Sequence, residues 1–398
     1  MANLIITTMK DEDNLVVDFI VHHLDLGFDK IIIFDDFSKT PVSDHVSTLP
    51  EELRKKVECH RLGEKFFYQT EPSLGEFFDD KIYAMFSKNK QMYLCNFAIK
   101  HFCKPTDWVA LTDVDEFICI PTQRRIGVLR QEIERRGYSA MSLTMLIYGH
   151  SFNLTAPKDN NLCAFIWRAK KYSFHGKFFA HIGALSDVFS PHYPPMHVPG
   201  LFCNGHFEQC ERENCFNTAQ KNDFEMPHLK HYMILDVYSC LSRRMRTPLD
   251  RGPYQPNEGA WLNRIDMFRW SSSEIDVTLA VSILHARVHA GLDITAHARA
   301  LSNSLEKSQD FEDTSGTLDF DFIRSKLNCS LDESDAALLF RVFSQSPPDS
   351  SLLRFFILPK DFDVETYRIL NPGLQLPTKR DFIKHFLNYG RFEGRLYK

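Results

Sequence analysis

Apolar residues in the first 120 positions alternate between short continuous runs and stretches with helical spacing. Asn3 to Thr8 is a short apolar run, and Asp13 to Leu26 then places Leu15, Val16, Phe19, Ile20 and Leu24 near a 3.6-residue period. Asp11 or Asp13 offers an N-cap and Gly27 a stop, so the segment predicts one β-α unit. Lys30 to Phe34 is a second buried run, ending abruptly at Asp35-Asp36-Phe37-Ser38, and Val57 to Leu62 is a third. Tyr83 to Phe102 predicts a long helix and Trp108 to Thr112 a fourth strand. Apolar strands separated by helices predict an α/β fold, with a mostly parallel sheet flanked by helices.

The pattern then changes. Arg124 to Arg136 predicts a charged amphipathic helix and Ala140 to Ile147 another strand. Residues 151 to 232 are irregular and rich in His, Phe, Pro and Cys, with strand candidates at Leu162 to Trp167 and Lys177 to Ile182. A breaker-rich stretch from Thr247 to Gly259 closes this part, and helical spacing returns over Ser273 to His289, Thr295 to Lys307 and Asp332 to Phe343. The expected organisation is an α/β domain over 1–250, a helical C-terminal region over 251–343, a linker at 344–351 and a small aromatic-rich module over 352–398.

Composition narrows the class. With 398 residues, 43% hydrophobic and 25% charged, the chain can bury a substantial core. The formal charge of −5 and the lack of a long basic block argue against nucleic acid as a partner. No run approaches the ~20 apolar residues a membrane span needs. The first residues lack a basic lead and an adequate apolar core for a secretory signal, so a cytoplasmic location is expected. Cysteines such as Cys95, Cys103, Cys119 and Cys240 sit inside apolar patterns, as reduced core thiols do. His22 is expected on a helix surface and His23 near a cleft.

The chemistry concentrates where strands end. In parallel α/β sheets ligands bind outside the carboxyl ends of the strands, and three polar clusters fall there: Thr7 to Lys10, Asp35 to Ser38, and Asp113-Val114-Asp115. Paired carboxylates suit Mg²⁺ or Mn²⁺, which commonly share protein oxygens with substrate phosphates. A plain turn at Asp35-Asp36 and a core or lid role for Phe66-Phe67-Tyr68 remain open alternatives. Cys203, His206, Cys210 and Cys215 have coordinating chemistry but no common zinc spacing.

Together these residues resemble the GT-A glycosyltransferases, in the family-2-like group with an Asp-Val-Asp-Glu-Phe motif and its family-92-like relatives. The resemblance rests on Lys10-Asp11-Glu12, His23 to Gly27, Asp35 to Ser38, Asp113 to Phe117, Tyr148 to Ser151, Gly176-Lys177 and Leu229 to Tyr232, and covers about residues 1–250. Asp11 and Phe37 depart from the pattern, standing where the group has Asn and a small residue. The resemblance implies a GT-A, Rossmann-like fold and metal-dependent transfer of a hexosyl or pentosyl group. The donor would be a UDP- or GDP-sugar and the acceptor a hydroxyl of a glycan or other molecule.

Carried over residue by residue, Asp35 and Asp36 would face base and ribose, with Thr8, Lys10 and Glu12 in the same cleft. Asp113 and Asp115 would hold Mn²⁺ or Mg²⁺ beside the diphosphate, His231 would complete the ion's shell, and Lys177 or Arg168 would offset leaving-group charge. Asp187 leads Glu208, His192 and Asp223 as candidate catalytic base. The tail, with Asn371-Pro372-Gly373-Leu374 and Tyr389 to Arg395, resembles a small module that accompanies such transferases and suggests peripheral membrane or protein contact. The rival functions are a haloacid-dehalogenase-like phosphotransferase and a non-catalytic carbohydrate-binding protein.

Overall fold

The computed structural model describes residues 1–62, 80–151, 161–186, 188, 190–198, 201–211, 215, 223–233, 235, 274–311, 363–377, 382, 385–386 and 395–397, with backbone alone at 80–90 and 306–311. Its first half is β1 (Asn3–Met9), α1 (Val16–Asp25), β2 (Lys30–Asp35), the short helices α2 (Val42–Ser47) and α3 (Glu51–Arg54), β3 (Val57–Arg61), α4 (Asp80–Phe102) and β4 (Trp108–Leu111). Then come β5 (Glu116–Cys119), α5 (Ile126–Arg135), β6 (Ala140–Ile147), β7 (Trp167–Arg168), β8 (Gly176–His181), β9 (Phe202–Cys203) and β10 (His228–His231). After these follow β11 (Glu274–Ile275), α6 (Thr278–His289), α7 (Thr295–Phe311) and α8 (Val364–Leu370).

The fold is α/β, with a main sheet ordered β3-β2-β1-β4-β8-β6-β10-β5 and β9 added beside β6. Its parallel block is β3-β2-β1-β4. The other half is mixed: β8 runs antiparallel to both β4 and β6, and β5 antiparallel to β10. The sheet is thus less uniformly parallel than the apolar runs suggested, because a fully buried strand looks alike in either direction.

Core residues alternate across the sheet as a period of two requires. Ile5, Ile31 and Ile33 join one cluster with Phe19, Phe117 and Leu129, while Leu4, Ile6, Ile32 and Phe34 join a second with Leu94 and Phe97 of α4. Both faces are therefore covered, which accounts for the continuous apolar runs of β1 and β2. Full burial of each such side chain contributes roughly 1.5–3 kcal/mol. Leu279, Ala280 and Ile283 of α6 belong to the first cluster, so this helix packs on the α/β core rather than forming a core of its own. Tyr367, Phe382 and Phe386 form a small separate cluster near the C-terminus.

The chain leaves β4 at Thr112 and enters β5 at Glu116, although β8, β6 and β10 lie between those two strands in the sheet order. The five steps from Leu111 to Glu116 could reach at most about 18 Å if fully extended. Four strand spacings in a flat sheet need about 19 Å. The connection is in fact a tight turn, closed by Glu116 N to Asp113 O at 3.0 Å. The sheet must therefore curl around the acidic turn.

Several local expectations are corrected. Leu162 to Trp167 is not one strand: Asn161 Oδ1 accepts from Cys163 N at 3.1 Å and diverts the run into a 3₁₀ turn at Leu162–Ala164, leaving only two residues for β7. Neither Asp11 nor Asp13 caps α1, which begins after Leu15 without a side-chain cap; Asp11 Oδ1 instead accepts from Lys39 N at 2.8 Å. The 247–259 stretch, the 332–343 helix and the 344–351 linker lie outside the described residues.

His22 is buried, not on the surface, because α6 covers that side of α1. Its Nε2 donates to Ile118 O at 2.8 Å, and its Nδ1 lies 3.2 Å from Ser282 Oγ. Beside it, His23 Nδ1 donates to Phe19 O at 2.8 Å while its Nε2 accepts from Ile118 N at 3.2 Å. Two neutral imidazoles thereby satisfy both backbone groups of Ile118 on β5, the strand at the end of the sheet order.

Burial lowers His22, His150 and His228 to about 4. Their unfolded values lie near ~6.5. Below pH ~6.5 the unfolded chain takes up protons that the folded chain refuses, so stability falls as pH drops toward about 4 and is undiminished above 6.5. Urea unfolding between pH 7 and pH 5 should lose roughly 1–2 kcal/mol for each such histidine, and a His22→Gln variant should lose less over that range than wild type. A midpoint that stays constant across that range would contradict the assignment.

Candidate active site

The polar clusters at the ends of β1, β2, β4 and β10 meet around one cavity of about 350 Å³. Thr8, Lys10 and Glu12 enter it from the end of β1, Asp36 from the end of β2, and Asp113 and Asp115 from the turn after β4. His231, the last residue of β10, faces Asp115, and Met9, Gln91, Leu94, Val114 and Met233 complete the wall.

The acidic turn is set from beneath by a buried cation. Lys177 Nζ lies 2.9 Å from Asp113 Oδ2 and 3.3 Å from Glu116 Oε2, and the lysine is 1% exposed. Asp113 Oδ1 also accepts from Gln91 Nε2 at 2.6 Å, and Asp113 N donates to Glu116 Oε2 at 2.9 Å. Burial works against the Lys177 charge, but Asp113 and Glu116 outweigh it and push its pKa up, so the ammonium persists. Burial raises Glu116 to about 7, with Lys177 opposing the shift.

Asp115 and His231 form the other half of the site. Asp115 Oδ2 lies 3.6 Å from His231 Nε2, and Tyr232 N donates to Asp115 O at 2.8 Å. Burial disfavours the His231 imidazolium, yet the nearby Asp115, Glu116 and Asp113 carboxylates raise its pKa overall. Among the described residues, the carboxylates Glu12, Asp36, Asp113 and Asp115 around the cavity outnumber the Lys177 and Lys10 cations, an arrangement that suits a bound cation.

The Asp115 carboxylate is the donor type that Mg²⁺ and Mn²⁺ take beside substrate phosphates, and His231 adds an imidazole that the softer Mn²⁺ accepts more readily than Mg²⁺. Asp113 does not converge with them. Its carboxylate is turned to Gln91 and Lys177, and the three potential ligand atoms do not gather within the 4.8 Å spacing that Asp25, His285 and His289 meet elsewhere.

Thr8, Lys10, Glu12, Asp36, Asp113, Asp115 and His231 are therefore brought together, whereas other expected residues stand apart. Asp35 does not line the cavity: its oxygens accept from Ser38 N at 2.8 Å and Val42 N at 3.2 Å and hold the turn after β2. Lys177 lies under the site, paired with carboxylates. Arg168 is used elsewhere, with Nη1 2.9 Å from Glu274 and its guanidinium over the Phe224 ring. Asp187 lies outside the described residues.

Of the remaining base candidates, Glu208 accepts from Asn204 Nδ2 at 3.1 Å and Asp223 sits 3.6 Å from His206. His192 Nδ1 donates to Gly176 O at 2.8 Å, and burial together with the Lys177 charge lowers its pKa. Among the described residues, Cys203, His206, Cys210 and Cys215 do not form a metal-ligand cluster. Sequence reasoning missed Gln91, whose place within a long polar-and-apolar helix gave no signal, and the bracing role of Glu116, whose signal was its position directly after the acid pair.

No family model and no curated protein sequence matches the chain. Among solved structures, S. aureus TarS is similar over 78% of this chain and 54% of that chain, at 13% identity and a TM-score of 0.28. The present chain spans about half the length of TarS.

Replacing Lys177 with Met should destabilise the protein by about 3 kcal/mol or more, because Asp113 and Glu116 would be left facing each other without the buried cation. Urea unfolding near neutral pH measures this; a loss below about 1 kcal/mol would show that the pair does not depend on Lys177.

Proposed function

We propose that the cavity binds a nucleoside-diphosphate sugar together with Mn²⁺ or Mg²⁺ and transfers the sugar to an acceptor hydroxyl. The observation that carries this reading is the Asp115 and His231 pair, 3.6 Å apart, at a cavity that also holds Asp36, Thr8 and Lys10. Asp115 and His231 would hold the divalent ion. When bound, that ion stabilises the negative charge that builds on the departing diphosphate. Asp36 is placed to accept hydrogen bonds from ribose hydroxyls or base N–H groups. Lys10 Nζ, 4.0 Å from Asp36 and on a partly exposed side chain, adds a cation at the same rim. Asp113, braced by Gln91 and Lys177, presents a fixed acceptor to the sugar or ribose.

The resemblance to GT-A glycosyltransferases supports the same assignment and extends it to a hexosyl or pentosyl donor carried on UDP or GDP, with a glycan or related acceptor. An Asp113 nucleophile, as a phosphotransferase would need, is disfavoured. Both of its carboxylate oxygens already accept hydrogen bonds, which lowers their electron density. Among the described residues no helix is long and apolar enough to cross a membrane.

UDP and GDP tested with and without Mn²⁺ should raise the melting temperature only when nucleotide and ion are present together. Asp115→Ala should abolish that shift and lower sugar transfer on the order of 100-fold or more. Retained metal-dependent transfer in the variant, or nucleotide binding indifferent to metal, would overturn the proposal.

A further inference from the structure

A second cluster of coordinating groups lies where α1 meets α6. His285 and His289 are one turn apart on α6, which puts their rings on the same face of the helix, with centroids 3.8 Å apart. Asp25, the last residue of α1, faces both. Its Oδ1 is 3.0 Å from His289 Nδ1 and its Oδ2 is 3.4 Å from His285 Nδ1. One ligand atom from each of the three lies within 4.8 Å of the others.

We propose that Asp25, His285 and His289 form a binding site for a borderline divalent ion of the zinc class, separate from the acidic cavity. Ligands about 2 Å from a tetrahedral zinc stand roughly 3.3 Å apart, and each histidine already lies near that distance from one Asp25 oxygen. With one ligand atom per residue the three stand within 4.8 Å, so a small side-chain shift closes the set. Two imidazoles and one carboxylate make a set known for zinc, with water in the fourth position. The ligand types also separate this site from the cavity: two imidazoles favour Zn²⁺, Co²⁺, Ni²⁺ or Cu²⁺, whereas the acidic turn offers mostly oxygen.

The backbone supplies a second and independent reason. Asp25 ends α1 and His289 ends α6, so two helix C-termini converge on the cluster. Local turns take up most of the carbonyls at these ends, and Asp25 O accepts from Arg125 Nη1 at 3.0 Å, so the two helix dipoles add only modestly to the Asp25 carboxylate in drawing a cation there. Ion binding replaces the imidazole proton that otherwise pairs with Asp25. It also ties α6 to α1, whose His22 and His23 hold β5.

Cobalt and zinc titrations of the metal-stripped, full-length protein test this. The Asp115→Ala background silences the cavity so that only the histidine cluster is read. One equivalent of Co²⁺ should produce the visible absorption of a four- or five-coordinate site, and Zn²⁺ should displace it and raise the melting temperature. Adding His285→Ala and His289→Ala, both at exposed side chains, should weaken binding at least about tenfold and remove the thermal shift. Identical titrations with and without the two histidines would overturn the proposal and leave a surface set of ion pairs, as would absence of Co²⁺ binding in their presence.

Discussion

The arrangement of the candidate site depends on one buried ammonium group. Lys177 sits beneath the turn after β4 with Asp113 and Glu116 as partners, Lys177 near the start of β8, Asp113 in the turn and Glu116 at the start of β5. A lysine buried this completely would be strongly disfavoured without its partners, so the ion pair and the turn geometry constrain each other. This also gives the mixed sheet a purpose. Because β8 runs antiparallel to β4 and β6, its first residues arrive at the same edge where the parallel strands end, and Lys177 is the second residue of β8. A parallel strand in that place would have delivered its lysine to the opposite edge.

The far side of the acidic turn is fixed by different means. Glu116 begins β5, and Ile118 two residues on has its backbone N–H and C=O taken by His23 and His22. Burial keeps both imidazoles neutral, and neutrality lets one donate while the other accepts. Ser282 of α6 reaches His22 from outside, so residues more than 250 positions downstream help to hold the strand that follows the acid pair. The cavity is thus braced by a charged contact under Asp113 and by neutral hydrogen bonds behind Glu116.

Much of this was legible in the sequence, for reasons that can be named. The apolar runs of β1, β2 and β4 announced buried strands, and the polar residues at their ends mark where ligands gather in such sheets. His231 was legible only through resemblance, and it does face Asp115. What stayed hidden depends on tertiary context. Asp35 and Asp36 are equivalent in composition, but a strand sends successive side chains to opposite sides, and only Asp36 reaches the cavity. The direction of β8 and the cover of α6 over His22 follow from contacts distant in sequence. Asp11 and Phe37, the two departures from the expected pattern, both adopt positive φ, at 55° and 58°. Asp tolerates that backbone region, whereas a bulky Phe is strained there and Gly would not be.

Anomalous diffraction from crystals grown with Mn²⁺ and a nucleoside diphosphate would locate the ion. A manganese peak is expected within coordination distance of Asp115 and His231, with the diphosphate on the same ion and Lys177 still paired beneath Asp113. A nucleotide bound with no ion at that position, or a manganese peak away from both side chains, would contradict the proposed function.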